Sequence, residues 1–399
     1  MTTTVETVTG AAQTMVLNMG PQHPSTHGVL RVILELNGEI VVKAEPVIGY
    51  LHTGIEKSSE SKTYSQVITL TDRIDYLAPL SNNLAYCLAV EKLLELEVPK
   101  RAQYIRVLLA ELTRIASHLV WLGTHAIDLG AMSVFLYCFR EREEILKIFE
   151  YLSGQRMMTS YIRIGGLALE PPPDWLERVQ RFLDMFPARI DQYETLLTEN
   201  RIWMARTQGV GVIKAADAIA MGISGPLLRA SGVAFDIRKM FPYSSYDEFD
   251  FEVKTATGAD CFARYQVRVA EMRESLKIVR QAMKKNVIDG PIRSEAPGVV
   301  PPAREEMKTS IEGLIYHFKI FTEGFAAPPG EVYSVIESPR GELGIFLASD
   351  GSAKPYRLKF RTPSFVNLQS LPNLAIGRLI ADVVACIGTT DIVLGEVDR

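Results

Sequence analysis

Cysteine is scarce in this chain. Four occur in 399 residues, Cys87, Cys138, Cys261 and Cys386, and no two form a Cys-x-x-Cys pair. That spacing argues against a disulfide scaffold and against a self-contained zinc or iron–sulfur site. It reads as four small buried hydrophobes in a reducing compartment. Excess charge is lacking too. Lys+Arg number 43 against 47 Asp+Glu, a net charge of −4. So mild a balance leaves no footprint for nucleic acid and no polybasic membrane anchor. A clean membrane span is also missing. Ile115 to Phe139 is long enough to cross a bilayer, but it contains His118, His125 and Asp128. A carboxylate in the middle of a lipid-exposed span costs several kcal/mol, so the stretch reads as a buried helix pair. Met1 to Gly10 has neither basic residues nor an apolar core, which argues against a secretory signal. Residues 1–14 read as a flexible polar tail. Phosphate loops and a Gly-x-Ser-x-Gly elbow are absent. Gly209-Val-Gly211 lacks its third glycine, since Lys214 stands there.

What is present is an ordinary globular composition, 47% hydrophobic and 23% charged. Val29 to Leu36 alternates as a strand does, Asn37-Gly38 follows, and Glu39 to Ala44 is again β-branched. Asn-Gly between two such runs is a strong hairpin signal. From about Ile74 the period turns helical. Leu84, Leu88, Leu93 and Leu94 form one stripe. Ile105, Leu108, Leu109, Leu112 and Ile115 form a face of a second helix over about 102–122. Phe139 to Glu144 reads as a solvated helix face. Helices are expected at about 175–200 and 261–285 and strands at 332–336, 343–347 and 357–361. A final helix is expected at about 373–387, before a polar tail. The fold class is α+β: a mainly helical core with small antiparallel β elements near both ends. The expected division is a tail (1–14), a β-hairpin region (15–72), a helical core (73–330) and C-terminal β elements with a final helix (331–399).

Three clusters carry possible chemistry. Met19-Gly-Pro-Gln-His23-Pro-Ser-Thr-His27-Gly28 puts two imidazoles in a loop stiffened by two prolines. Pro24 argues against a helix and so against a helical zinc pair. Asp72-Arg73-Ile-Asp75-Tyr76 opens a helix that Asp72 is placed to cap, with Tyr76 as core ring or as hydrogen-bond donor at a cavity wall. His125 and Asp128 are three apart on a helix, either a buried ion pair or part of a site.

Several motifs resemble one family. They are Gly20-Pro-Gln-His-Pro-Ser-Thr-His-Gly28, Gly49-Tyr-Leu-His-Thr-Gly-Ile-Glu-Lys57, Asp72-Arg-Ile-Asp-Tyr76, Ile115-Ala-Ser-His-Leu119, Ser224-Gly-Pro-Leu-Leu-Arg229, Ser310-Ile-Glu-Gly313 and Gly395-Glu-Val-Asp-Arg399. In this order they resemble the D-type subunit of the proton-pumping NADH:quinone oxidoreductases (respiratory complex I). That family is similar to the large subunit of nickel–iron hydrogenases, so a hydrogenase-large-subunit-like fold is implied. The hydrogenases hold their metal with two Cys-x-x-Cys pairs. Neither exists here, so no metal is expected on this chain.

The resemblance implies a core subunit that forms the quinone-reduction site and couples electron transfer to proton translocation, inactive in isolation. It implies that NADH, FMN and iron–sulfur clusters sit on partner subunits. The implied partners are a small iron–sulfur subunit, a membrane subunit where quinone enters, and quinone itself, with no nucleic acid. The implied place is peripheral, on the cytoplasmic face of a bacterial inner membrane. Carried over by residue, Tyr76 and His27 hold the quinone head, Asp128 partners His27 and favours its imidazolium, and Arg73 lies near the neighbour's cluster. His23 is a structural companion. Many members carry a histidine where this chain has Met158, and methionine cannot take up a proton. Two alternatives stay open: a related complex fed by ferredoxin or a deazaflavin, and a non-catalytic scaffold.

Overall fold

Asn37-Gly38 turns the chain as expected. In the computed structural model, which describes residues 14–285 and 290–399, β2 (Arg31–Asn37) pairs antiparallel with β3 (Ile40–Val47), Leu34 opposite Ala44. An unexpected strand, β1 (Met15–Met19), pairs with the other edge of β2, Leu17 opposite Leu34. Val32, Leu34 and Leu36 are buried and alternate with half-buried neighbours, the period of two that lays one face on a core. The tail expected over 1–14 lies, but for Thr14, outside the described residues.

The helical body is built from Pro79–Leu93, Lys100–Asp128, Met132–Ser153, Trp175–Leu197 and Cys261–Lys285. The 100–128 helix is its axis and packs along both the 132–153 and 261–285 helices. The apolar run from 115 to 139 is a helix pair, broken at Gly130 with φ +92°. One expectation fails here. The 100–128 helix does not bury a single face; nearly every residue from Tyr104 to Gly123 is buried. Its polar residues therefore need partners inside. Arg106 reaches Glu91 at 2.6 Å and His118 reaches Glu271 at 3.0 Å. Glu111 accepts from Tyr246 at 2.7 Å, Ser275 at 2.6 Å and Arg238 at 3.0 Å. These bonds and guanidinium charges hold Glu111 down to about 2 against its burial. The 139–144 face is less solvated than expected, since Glu141 is buried and accepts from Tyr193 at 2.6 Å.

A two-residue-strand hairpin, β4 (Ile162–Arg163) and β5 (Gly166–Leu167), follows the third long helix. Near the C-terminus β6 (Gly330–Ser338), β7 (Gly341–Ser349) and β8 (Arg357–Arg361) form an antiparallel sheet in sequence order. Its first turn is Pro339-Arg340. The expected final helix is two pieces, Leu371–Ala375 and Ile380–Thr389, parted by Gly377 at φ +79°. The expected polar tail is a further helix, Leu394–Asp398, with all five residues buried.

Candidate functional site

The 20–28 loop is fixed from within. Gly20 has φ +84°, and a Cβ there would run into the Leu30 carbonyl. Buried Thr26 donates to the Pro21 and His23 carbonyls at 3.1 and 2.9 Å. Pro24–Thr26 makes one 3-10 turn, the proline at its start, where no N–H is needed. His27 ends that turn at φ +57°, its N–H on the Pro24 carbonyl at 3.2 Å. Its side chain is exposed.

Tyr76 comes from the turn before the 79–93 helix. The cap expected of Asp72 is not made: the 79–93 helix starts at Ala78 with no side-chain cap among the described residues, and the Asp75 carboxylate, in the turn before it, accepts from the N–H groups of Leu77 at 3.0 Å and Ala78 at 3.3 Å. Asp72 is buried at the end of the preceding helix, Tyr64–Thr71, and accepts from Ser160. The other Asp75 oxygen meets Arg340 Nη1 at 2.5 Å. Arg340 Nε donates to the Asp391 carbonyl at 2.8 Å, and its Nη2 lies 3.3 Å from the Asp391 carboxylate. Glu396 lies buried beside them, accepting from Ser364 Oγ at 2.7 Å. Burial, then the charge of Asp75, raises Glu396 to about 8. The last helix closes on this cluster because Gly395 leaves room for the Ile74 carbonyl and the Tyr76 ring.

Both predicted donors sit at the edge of this cluster. Burial first, then Asp75, raises the Tyr76 phenol, with Arg340 opposing. Although part of the His27 ring is open to solvent in the single chain, the protein crowded round it desolvates the imidazolium and lowers its pKa. Asp391 opposes that shift and Arg340 adds to it. The charge of Arg340 thus reaches both side chains. Among the described residues, neither the Tyr76 hydroxyl nor the His27 ring has a hydrogen-bond partner.

Asp128 is not brought to His27. Its Oδ1 accepts from Ser25 Oγ at 3.5 Å, and the histidine whose charge reaches it is His23. Burial raises it to about 6. The carboxylate–imidazolium pair expected for His27 is therefore not formed in this chain. Nor does Asp128 pair with His125. That ring is buried, neither nitrogen has a hydrogen-bond partner among the described residues, and it stacks on Trp121 at 5.4 Å and lies edge-on to Trp203 at 5.3 Å. Burial, then the charge of Arg268, lowers it to about 3, so it is a neutral core ring. His23 Nδ1 accepts from the Ser25 N–H at 3.2 Å, a loop-shaping role.

Arg73 is exposed, its guanidinium donating to the Thr69 carbonyl at the end of the 64–71 helix. Met158 is half-buried, two residues before the Ser160 that binds Asp72. Among the described residues no group of three or more His, Cys, Asp or Glu is placed to hold a metal ion. Two cysteines are closer than their spacing suggested. The sulfurs of Cys386 and Cys261 lie 3.1 and 3.3 Å from where a Cβ on Gly211 would stand.

Sequence reasoning missed Arg340, Asp391 and Ser364. Arg340 stands in the turn between β6 and β7, and neither it nor Asp391 nor Ser364 carries a local signal of this role. Glu396 was inside a quoted motif without a role. That motif also explains an unassigned one: Asp398 accepts from the N–H groups of Gly49 at 2.8 Å and Leu51 at 2.7 Å. The 49–57 and 395–399 motifs are two halves of one clasp.

Residues 128–399 match the family model described as the 49 kDa subunit of respiratory-chain NADH dehydrogenase. The first D-type NADH-quinone oxidoreductase subunit of Solibacter usitatus is 67% identical over 385 residues, covering 96% of this chain and 94% of that protein. The second D-type subunit of Koribacter versatilis is 64% identical over 390 residues, 98% and 97% of the two chains. The D-type subunit of Citrifermentans bemidjiense is 58% identical over 389 residues, 98% and 100%. The chain belongs to this 49 kDa, or D-type, subunit family.

Proposed function

We propose that this chain forms the quinone-reducing face of its complex, with Tyr76 and His27 donating hydrogen bonds to a carbonyl oxygen of the quinone head. The chain is a core subunit of a respiratory NADH-quinone oxidoreductase and acts as part of that enzyme. The observation that carries the proposal is a pair of donors that have no partner among the described residues. Both border the same buried Arg340 cluster, His27 exposed and Tyr76 half-buried. A scaffold has no need of two such donors.

Quinone reduction consumes two electrons and two protons. The electrons reach the quinone from an iron–sulfur cluster on a neighbouring small subunit. As they arrive, negative charge develops on the carbonyl oxygens, and donors already aimed there strengthen. Exposed Arg73 faces that neighbour, where a fixed positive charge favours the reduced cluster. A membrane subunit stands where quinone enters, and NADH and FMN bind on other partners. Among the described residues no helix is long and apolar enough to cross a membrane. That fits a peripheral subunit, which we assign to the cytoplasmic face of the inner membrane.

The test is His27→Ala in the intact complex. NADH oxidation by ferricyanide, which draws electrons upstream, should persist while reduction of a short-chain quinone falls. Equal retention of both activities removes His27 from the site.

A further inference from the structure

The Ile311–Thr322 helix is apolar on most of its circumference, yet one face is bare. Ile311, Leu314, Ile315 and Phe318 follow helical spacing and are 48–73% exposed. A helix apolar all round belongs in a core or an interface. The helix also walls, through His317, Ile320 and Phe321, a recess of about 360 Å³ that Arg163, Arg293 and Arg304 line. Among the described residues none of these three guanidinium groups has a carboxylate at ion-pair distance. The Arg163 Nε is buried with no hydrogen-bond partner among the described residues. Among the described residues Arg293 donates only to backbone carbonyls, including that of Leu167 at 2.9 Å. Nearby acids are engaged elsewhere, Glu170 with Arg101 and Glu305 with Lys308. Burial, then the charge of Arg163, lowers the Arg293 pKa, with Tyr161 and Glu170 opposing from beyond ion-pair distance.

We propose that this recess and the adjoining bare helix face receive a segment of another subunit of the complex, one that carries an Asp or Glu side chain between apolar ones. A carboxylate matches the guanidinium fork in two hydrogen bonds and neutralises the cluster, while a basic segment is repelled. Apolar neighbours on the segment cover Leu314 and Phe318. An amphiphilic lipid anion matches the recess but leaves the outer helix face bare. The inference rests on this chain being a complex subunit, and it is independent of the quinone assignment.

The test uses the intact complex, purified in detergent, with a photo-crosslinking phenylalanine analogue at position 321. The expected product joins this chain to another subunit, at a segment with an acidic residue among apolar ones. A product with lipid or detergent alone, with this chain alone, or with a segment lacking an acid overturns the proposal, as does no product. In parallel, Arg163→Gln/Arg293→Gln should lower the yield of complex surviving a high-salt wash by roughly tenfold. Arg163→Lys/Arg293→Lys, which keeps the charge, should retain most of it. Equal yields from both double variants and the parent overturn it. The ratio of quinone to ferricyanide activity per assembled complex reads the proposed function separately and should not change here.

Discussion

Asp128 Oδ1 lies 3.5 Å from the Ser25 hydroxyl, so the aspartate that ends the 100–128 helix holds the 20–28 loop and leaves the His27 ring to other neighbours. The contact is long for a hydroxyl donor, and it is worth less than about 1 kcal/mol to the chain alone. If its role is to seat the loop, Ser25→Ala and Asp128→Asn should act alike. Each should raise the KM for a short-chain quinone several-fold, and the double variant should be little worse than either single one. Steady-state kinetics on assembled complex decides it. A silent Ser25→Ala beside a damaging Asp128→Asn would mean that Asp128 acts by another route.

Tyr76→Phe keeps the ring packed against Gly395 and removes only the hydroxyl. That hydroxyl has no partner among the described residues, so the variant should assemble normally. A neutral hydrogen bond is worth about 1 kcal/mol, which predicts a several-fold weaker hold on quinone. Ferricyanide reduction should be unchanged. Unaltered quinone kinetics would show that the phenol does not touch the substrate.

The hairpin at Asn37-Gly38, the 261–285 helix and the three C-terminal strands were legible because each rests on local chemistry: a turn dipeptide, a helical period, alternation. The 100–128 helix was legible as a helix but not as the axis of the body. Its buried Arg106, Glu111, Arg114 and His118 look like a polar face until their distant partners are known. The site was half legible for the same reason. His27 and Tyr76 stood out in short motifs, and the family resemblance brought them forward. Arg340, Asp391 and Glu396 meet only in three dimensions, and Arg340 is disguised as a hairpin-turn residue. The failed pairing of Asp128 with His27 was a tertiary inference, which neither spacing nor composition constrains.

Glu396→Gln should flatten the pH dependence of stability. Above its ordinary value of 4.5 the unfolded carboxyl has released its proton, whereas burial keeps the folded one protonated to about 8. Between these values the folded state binds more protons, so this group's contribution to stability falls as pH rises. Glutamine imitates the protonated acid and can still accept from Ser364. The variant should match the parent near pH 5 and be more stable near pH 8, by a few kcal/mol at most. Thermal unfolding at the two pH values measures it. A variant less stable at both would show that Glu396 is needed as a carboxylate.

The charge state of His27 should answer to Asp391. Burial lowers its pKa, Asp391 is the group that raises it, and Arg340 lowers it further. Removing the Asp391 charge leaves burial and Arg340 unopposed, so the imidazole should lose its proton at a lower pH. In Asp391→Asn the His27-dependent inflection in kcat/KM for quinone should therefore move to lower pH. Asp128→Asn should leave it in place, because Asp128 faces Ser25 and His23. Asp391 also sits 3.3 Å from Arg340 and 3.7 Å from Arg268, and breaking a buried pair costs about 3–5 kcal/mol. Turnover must therefore be normalised to the amount of assembled complex, and His27→Ala must abolish the inflection for it to be assigned. Movement of the inflection in Asp128→Asn but not in Asp391→Asn would return control of His27 to the helix end, and with it the pairing that the free chain lacks.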